Sequence, residues 1–280
     1  RVNTNGKPPL GQKIAQLRFP LLHDTTAGVL TTSCLTNLRH PMVWAMLSLP
    51  LFMGWVTFMA FTNIEHIDSF LLRTFISQMT PTAMIMLPFF ATISLFTNMF
   101  GLDIGGFRAY ILLPIPRWRY LLANNLLLIG GSGTFALIMF SVSAIFIPYD
   151  VTAVVIAMLQ ILQLGFALCI VGNMVSIYLP FYIDPKGARL GFKQQMTLMF
   201  IGSIIIATIG ILSLPTAFGM LIDSVLERFF GYQGISIGIL SSLGMVMLVA
   251  IAYALTLPKF GELLQEHEMI ILNKLMKMKV

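Results

Sequence analysis

The sequence predicts an all-α, polytopic membrane protein with six transmembrane helices. Of its 280 residues, 57% are hydrophobic and 10% are charged, whereas about 25% of the residues of a soluble domain are charged. Six windows lack Asp, Glu, Lys, Arg and His, and each is longer than the ~20 residues that a helix needs to cross a bilayer. Because backbone polar groups in lipid need internal hydrogen bonds, we expect these windows to be helices. The windows are Pro41–Ile64, Thr74–Leu102, Tyr120–Tyr149, Val151–Ile183, Gln194–Ile222 and Phe229–Pro258.

Residues 1–40 are predicted to form a cytoplasmic N-terminal segment that includes an interfacial helix. Asp24 is a suitable N-cap for a helix over Thr25–Leu38. One face of that helix would be apolar, as in helices that lie along a membrane surface. The residues of this face are Ala27, Leu30, Cys34 and Leu38. An ordinary solvated helix is the alternative interpretation.

Residues 41–258 are predicted to form the six-helix transmembrane domain, and residues 259–280 a cytoplasmic C-terminal tail. The connection between spans five and six, Pro215–Gly234, is too apolar for a solvated loop. We expect a helix that breaks there and a short amphipathic helix after it, which together form a re-entrant outer pair. A single long span whose end lies at the interface is the alternative.

The distribution of positive charge predicts the orientation. Of the 17 Lys and Arg residues, all but Arg73 and Arg228 lie in the N-terminal segment, in the C-terminal tail or in the loops after spans two and four. By the positive-inside rule, these regions and both termini are cytoplasmic, and the chain is a multi-pass protein of the plasma (inner) membrane. The basic excess therefore indicates topology and contact with anionic membrane lipids, and it does not indicate a nucleic-acid partner.

The sequence lacks the motifs of catalysis and cofactor binding. It contains no GxxxxGK[ST] phosphate loop, no HExxH and no GxSxG. The four histidines lie outside the charge-free windows, and no acidic residue, the usual mark of proton-coupled transport, lies inside them. We therefore expect a chain that is not itself an enzyme and that binds no metal or cofactor.

The polar residues inside the windows are neutral. Gln160 and Gln163 would share a helix face because they are three residues apart. Together with Asn124 and Asn173, they are candidates for a substrate path or a subunit seam. Hydrogen bonding between helices is the alternative, at about 0.6–2 kcal/mol for each bond.

The chain returns to the surface after span two. Gly101 is expected to end the span in the left-handed conformation, and Asp103 to cap the next segment. The pair Gly105-Gly106 would then allow a sharp bend.

A short apolar segment, Phe107–Leu113, follows this bend and carries Arg108. The prolines of the segment Pro114–Pro116 would end it, and Arg117 and Arg119 would anchor the chain at the lipid headgroups. These features predict a short, stiff helix that lies along the membrane and can transmit a displacement.

Two stretches resemble motifs of the permease subunits of ABC-2-type exporters. In NMFGLDIGGFRAYILLPIPRWRYLLANNL, the matching residues are Asn98, Phe100, Gly101, Asp103, Gly106, Arg108, Leu112, Pro114, Arg117, Leu121, Asn124 and Leu126. Relatives often have a basic residue where this chain has Ala123. In GNMVSIYLPFYIDPKG, the matching residues are Gly172, Asn173, Ser176, Pro180 and Asp184. The layout of a surface helix and six spans is similar to that family as well.

The resemblance implies that the loops Asp103–Arg119 and Asp184–Lys193 are coupling helices. They would dock on a separate ABC ATPase (nucleotide-binding) subunit, which would bind ATP and Mg. A second permease chain would pair with this one, as a homodimer or a heterodimer, around the substrate path. The residues implied in coupling are Gly101, Asp103, Gly106, Arg108, Pro114, Arg117, Asp184, Lys186 and Arg189.

Two other functions stay open at this point. A non-transporting scaffold or assembly subunit could use the basic loops to hold another protein. A secondary transporter could coordinate Na⁺ with neutral Asn and Gln side chains next to broken helices. Lipids, peptides, drugs and polysaccharide carriers all fit a neutral polar path, so the sequence does not identify the substrate.

Overall fold

The computed structural model describes residues 22–39, 48, 70–101, 104–146, 149–181, 192–231, 234 and 236–279. In these ranges the regular structure consists of seven α-helices. They are α1 (Asp24–Arg39), α2 (Phe70–Thr97), α3 (Ile104–Ile111), α4 (Arg117–Phe146), α5 (Val151–Tyr178), α6 (Phe192–Phe230) and α7 (Ile237–Lys279). Five of them, α2 and α4 to α7, contain stretches that are long and apolar enough to cross a membrane. The fold is that of a multi-pass, all-helical membrane protein.

These five helices correspond in order to predicted spans two to six. The first predicted span, Pro41–Ile64, lies outside the described residues except for Ser48. The total of six spans therefore stays a prediction, whereas the helical class is confirmed.

Helix α5 is the centre of the bundle. It contacts α2, α4, α6 and α7. Small residues allow this close packing, because a Cβ on Gly165 would lie 3.0 Å from the side chain of Ile129 on α4. A Cβ on Gly172 would collide with the carbonyl oxygen of Phe96 on α2. These two glycines of α5 therefore allow α2 and α4 to lie close to it.

Helix α1 occurs where the sequence predicted a helix, and it packs on α4. The contact of its apolar face with a membrane stays a prediction. The buried residues are Thr26, Val29 and Thr31, whereas Leu38, from the predicted apolar face, is 41% exposed. The residues that the rest of the chain buries are therefore not those of the predicted apolar face.

Helix α6 corrects the prediction of a re-entrant pair. It continues without a break through Pro215 to Phe230, over 39 residues, which is about 58 Å at 1.5 Å per residue. A proline removes one helical hydrogen bond and crowds the preceding turn. In that turn the carbonyl of Leu212 accepts a hydrogen bond from the Gln163 side chain of α5, at 2.8 Å. The turn before the proline is thus bound to the neighbouring helix, and the long helix of the alternative interpretation is what the chain forms.

Helix α7 is 43 residues long and passes through Pro258. It therefore includes residues 259–279, which the sequence assigned to a tail, and we call this part the arm. One face of the arm is apolar and almost completely enclosed by the rest of the chain. The enclosed residues are Leu264, Ile271 and Leu275. The arm is thus a packed continuation of the last span.

Candidate coupling site

The inner face of α3 is fixed to the bundle by aromatic side chains. Phe107 of α3 is only 3% exposed and packs against Phe100, in the turn after α2, with ring centroids 4.6 Å apart. One turn further along α3, the ring of Tyr110 lies 4.6 Å from that of Tyr120 on α4. Aromatic pairs of this kind contribute about 0.5–1.5 kcal/mol each beyond their burial. The predicted short helix is present, and it is anchored to two of its neighbours.

The outer face of α3 is exposed and largely apolar. Arg108 and Ala109 are both exposed. Directly after the helix, Leu112 is 79% exposed and Leu113 also faces outward. Exposed apolar side chains in this position are suited to contact with protein or membrane. Arg108 adds one positive charge to it.

The glycines of this region act differently from the prediction. The pair Gly105-Gly106 lies within the first turn of α3 and makes no bend, because packing of Phe107 offsets the cost of glycine in a helix, about 1 kcal/mol per residue. Gly101 is not left-handed, and among the described glycines only Gly231 has a positive φ. A Cβ on Gly101 would instead collide with the carbonyl oxygen of Phe181. Close approach of the chain after α5 therefore requires glycine there.

Arg117 joins α3 to the arm. Its Nη2 donates to the carbonyl of Ile111 at 2.8 Å, and its Nη1 to the carbonyl of Tyr110 at 3.1 Å. These carbonyls belong to the last turn of α3, which carries partial negative charge, and that of Tyr110 also accepts from the N–H of Leu113 at 3.1 Å. Nε of Arg117 donates to Oε2 of Glu268, on the arm, at 2.7 Å. One guanidinium thus connects α3, the start of α4 and the arm.

This arrangement corrects the predicted role of Arg117 as a headgroup anchor. The Arg117 and Glu268 side chains are 13% and 16% exposed, so the guanidinium points into the protein. Arg119, the second predicted anchor, lies beside α1, where its Nη1 is 3.3 Å from Nδ1 of His23 and 3.4 Å from Oγ1 of Thr25. The loop is held by the chain's own elements.

The sequence patterns do not indicate a role for Glu268, because they assign residues 259–280 to a cytoplasmic tail. A signal was available in the sequence, since Leu264, Ile271 and Leu275 recur at intervals of seven and four residues, as on one face of a helix. That stripe predicts a packed helix. It does not predict which charged residue would meet Arg117.

The two stretches that carry the family resemblance meet in the structure. Oγ of Ser176, on α5, donates to the carbonyl of Phe96 at 3.3 Å and accepts from the N–H of Met99 at 3.3 Å. Gly172 lies against the same carbonyl. The last turn of α2, whose carbonyls lack helical partners, is therefore bound to α5 by residues of the second stretch.

The four predicted path residues lie inside the single chain. Gln160, Gln163 and Asn173 are almost completely buried. Asn124 lines a small cleft beside Ser33 of α1, and its Nδ2 donates to a backbone carbonyl one turn earlier. The hydrogen bond from Gln163 to α6 agrees with the alternative interpretation of these residues, which is hydrogen bonding between helices. A path along these side chains would need the helices around α5 to separate, so that role stays a prediction.

Several buried amides have no hydrogen-bond partner within the part of the chain that the structure describes. These are both amide atoms of Asn98 and of Asn173, and Oε1 of Gln160. A buried polar atom without a partner costs about 1–3 kcal/mol. Such atoms are expected to bind water, or to find partners when the helices move.

Four of the predicted coupling residues lie outside the described residues: Asp103, Asp184, Lys186 and Arg189. Pro114 is exposed in the link between α3 and α4. Among the residues with described positions, no three His, Cys, Asp or Glu side chains are grouped so that they could hold a metal ion.

Comparison of the chain with protein-family models, with curated proteins and with solved structures found no match. Function is therefore inferred from the geometry of α3 and from the two sequence stretches that meet beside it.

Proposed function

We propose that the chain is the transmembrane permease subunit of an ATP-driven exporter, and that α3 docks on a separate ATPase subunit. The observation that carries this proposal is the contrast between the two faces of α3. Its inner face is held by Phe107, Tyr110 and Arg117, whereas its outer face exposes Arg108 and Leu112. A helix that is fixed on one side and free on the other suits the transfer of motion between two proteins.

Stiffness of α3 is what coupling would require. The helix has eight residues and would not be stable in isolation, because short helices lack the bonds to offset nucleation. The aromatic pairs and the Arg117 cap supply that stability from neighbouring elements. Closure of an ATPase dimer on ATP would then displace α3 as a rigid body together with the ends of the helices around it.

The remaining parts of the proposal come from the sequence. ATP and Mg bind to the partner ATPase, and the segment Asp184–Lys193 is a second docking loop. A second permease chain, identical or different, completes the transporter in the plasma (inner) membrane, with both termini in the cytoplasm. The six-span layout and the export direction are part of the same proposal.

Purification of the tagged chain from its native membranes in mild detergent tests the partner. We expect a soluble protein with a GxxxxGK[ST] phosphate loop to be present at a fixed ratio to the chain, as found by mass spectrometry. Recovery of membrane proteins alone, across several detergents, would contradict the exporter and favour the scaffold.

Charge reversal at Arg108 tests the docking face. Like charges at a protein interface cost several kcal/mol, so Arg108→Glu should lower stimulation of the partner's ATP hydrolysis about tenfold or more. The matched control is Lys277→Glu, the same charge change at an exposed position of the arm, which should leave stimulation unchanged. Equal loss in both variants would contradict a specific role for α3.

A further inference from the structure

We propose that the arm carries motion from α3 to the last span, and that Glu268 is the positioning residue that makes this connection. The inference rests on the proposed function, since it takes α3 as the element that the ATPase moves. The proposed route passes through residues that are distant from α3 in the sequence, since Arg117 and Glu268 are 151 residues apart.

The first step of this route is a pair of charge-assisted hydrogen bonds. Both carboxylate oxygens of Glu268 accept from Arg117, Oε2 from Nε at 2.7 Å and Oε1 from Nη2 at 3.3 Å. The same guanidinium donates to the carbonyls of Tyr110 and Ile111 at the end of α3. Two-point pairing of Arg with a carboxylate fixes direction as well as distance. A displacement of α3 is therefore passed to Glu268 through one side chain.

Two further contacts lie on the same face of the arm. Leu264, one turn before Glu268, is fully buried and shares a small cavity with Phe107 and Tyr120. Gly261, another turn earlier, is so close to α4 that a Cβ would lie 2.6 Å from the backbone nitrogen of Trp118. Spacings of three and four residues place these three positions on one stripe of the helix. The arm thus meets α3 and α4 along two turns.

The second step is continuity of α7. The helix is unbroken from Ile237 to Lys279, so the arm and the last span are one element of about 64 Å. At its far end, the first turn of α7 is bound to α6 through Asp223, which accepts from the N–H groups of Ile237 at 2.8 Å and Gly238 at 2.9 Å. Movement of the arm is therefore expected to reach the α6–α7 pair at the other end of the bundle.

A distance measurement between spin labels tests the route. The labels replace Ile145, near the end of α4, and Leu240, near the start of α7; both are exposed and far along the helices from α3. The chain is purified with its ATPase in lipid nanodiscs, with Cys34 and Cys169 replaced by alanine. We expect the addition of a non-hydrolysable ATP analogue to shift the distance between the labels in the otherwise unchanged chain.

Variants of the arm separate a role in transmission from general stability. Glu268→Ala should abolish the nucleotide-dependent shift, and Glu268→Gln, which keeps an acceptor oxygen but loses the charge, should retain part of it. Glu266→Ala is the control, because Glu266 is exposed on the same helix, and it should behave like the unchanged chain. A full shift in Glu268→Ala, or no shift in the unchanged chain although the ATPase is bound, would overturn the inference.

A second measurement keeps the inference testable if no ATPase accompanies the chain, a result that would refute the proposed function alone. Amide hydrogen exchange is then measured on the chain by itself. If α3 and the arm are one mechanical unit, Glu268→Ala should raise exchange in residues 104–111 and in residues 259–279 together, and Glu266→Ala in neither. An increase in only one of the two segments would show that they move independently and would overturn the inference.

Discussion

Arg117 and Asp223 each neutralise the end of a helix, but they lie at opposite ends of the bundle and connect the chain over different distances. Arg117 donates to the carbonyls that end α3. Asp223 accepts from the N–H groups that begin α7 and from the hydroxyl of Ser236 at 2.6 Å. Each charge has the sign that the helix dipole favours at that terminus.

The difference is in what each residue joins. Asp223, on α6, binds groups at the start of α7 that are only 13 to 15 residues away in the sequence. It therefore stabilises the single hairpin of α6 and α7. Arg117 also binds Glu268, 151 residues away, so it brings together three elements beside the exposed face of α3. Asp223 lies at the far end of the proposed route, so its loss is expected to lower stability without changing stimulation of the partner ATPase. Loss of Arg117 is expected to lower both.

The largest effect is expected at Gly101, where two backbone segments are in close contact at the same end of the bundle as Arg117. Gly101→Ala would place a methyl group against the Phe181 carbonyl, and neither backbone can yield easily, so the free energy of unfolding should fall by about 3 kcal/mol or more. Thermal unfolding in detergent measures this. Gly131→Ala is the matched control, because no other group lies within 4 Å of that Cβ and alanine favours the helix by about 0.5–1 kcal/mol. Similar losses of stability in both variants would contradict a close contact between Gly101 and Phe181.

The next effect in size is expected at the contact between Arg117 and Glu268. Arg117→Ala leaves Glu268 without its cation and the end of α3 without its cap, and for a pair that is partly exposed we expect a loss of about 2 kcal/mol in the free energy of unfolding. Stimulation of the partner ATPase should fall with it.

A double-mutant cycle with Glu268→Gln should give a coupling energy of about 1–2 kcal/mol. Arg119→Ala, which removes a contact between two partly exposed groups, should cost less than about 1 kcal/mol. Additive effects of Arg117→Ala and Glu268→Gln would mean that the two side chains do not act as a pair.

At the other end of the bundle, Asp223→Ala should cost about 1–2 kcal/mol, the usual effect of removing an N-cap. Asp223→Asn, which keeps one acceptor oxygen, should cost less. ATPase stimulation, measured per folded molecule, should be unchanged in both variants. A selective loss of stimulation in Asp223→Ala would show that the hairpin end takes part in coupling, and the comparison with Arg117 would fail.

Local sequence was sufficient for the helices and for the position of α3. Charge-free windows set the spans, and the short apolar segment that carries Arg108 indicated α3, although the helix begins earlier, at Ile104. These features depend on residues within one or two turns of each other, which is the range over which hydrophobic pattern acts.

Features that depend on distant partners could not be predicted in this way. The connection Pro215–Gly234 was expected to break the helix, but α6 continues to Phe230, and Gln163 of another helix donates to the turn before Pro215. Arg117 was expected to reach lipid, but Glu268 competes for it from the far end of the chain. Gly101 was correctly singled out, yet for the wrong reason, because the chain after α5 closes on it. In each case a tertiary contact overrode the local preference.

A small effect is also expected at α5, which lies between the two ends. Gln163→Leu removes the hydrogen bond to the Leu212 carbonyl but places an apolar side chain in a buried, mostly apolar position, so the net loss of stability should be about 1 kcal/mol. If Gln163 only supports α6 at Pro215, transport rate and substrate range per folded molecule should stay unchanged. A change in either, with stability held, would place Gln163 on the substrate path. Because the Gln163 side chain is fully enclosed in this conformation, that outcome would also require α5 to part from α6 during transport.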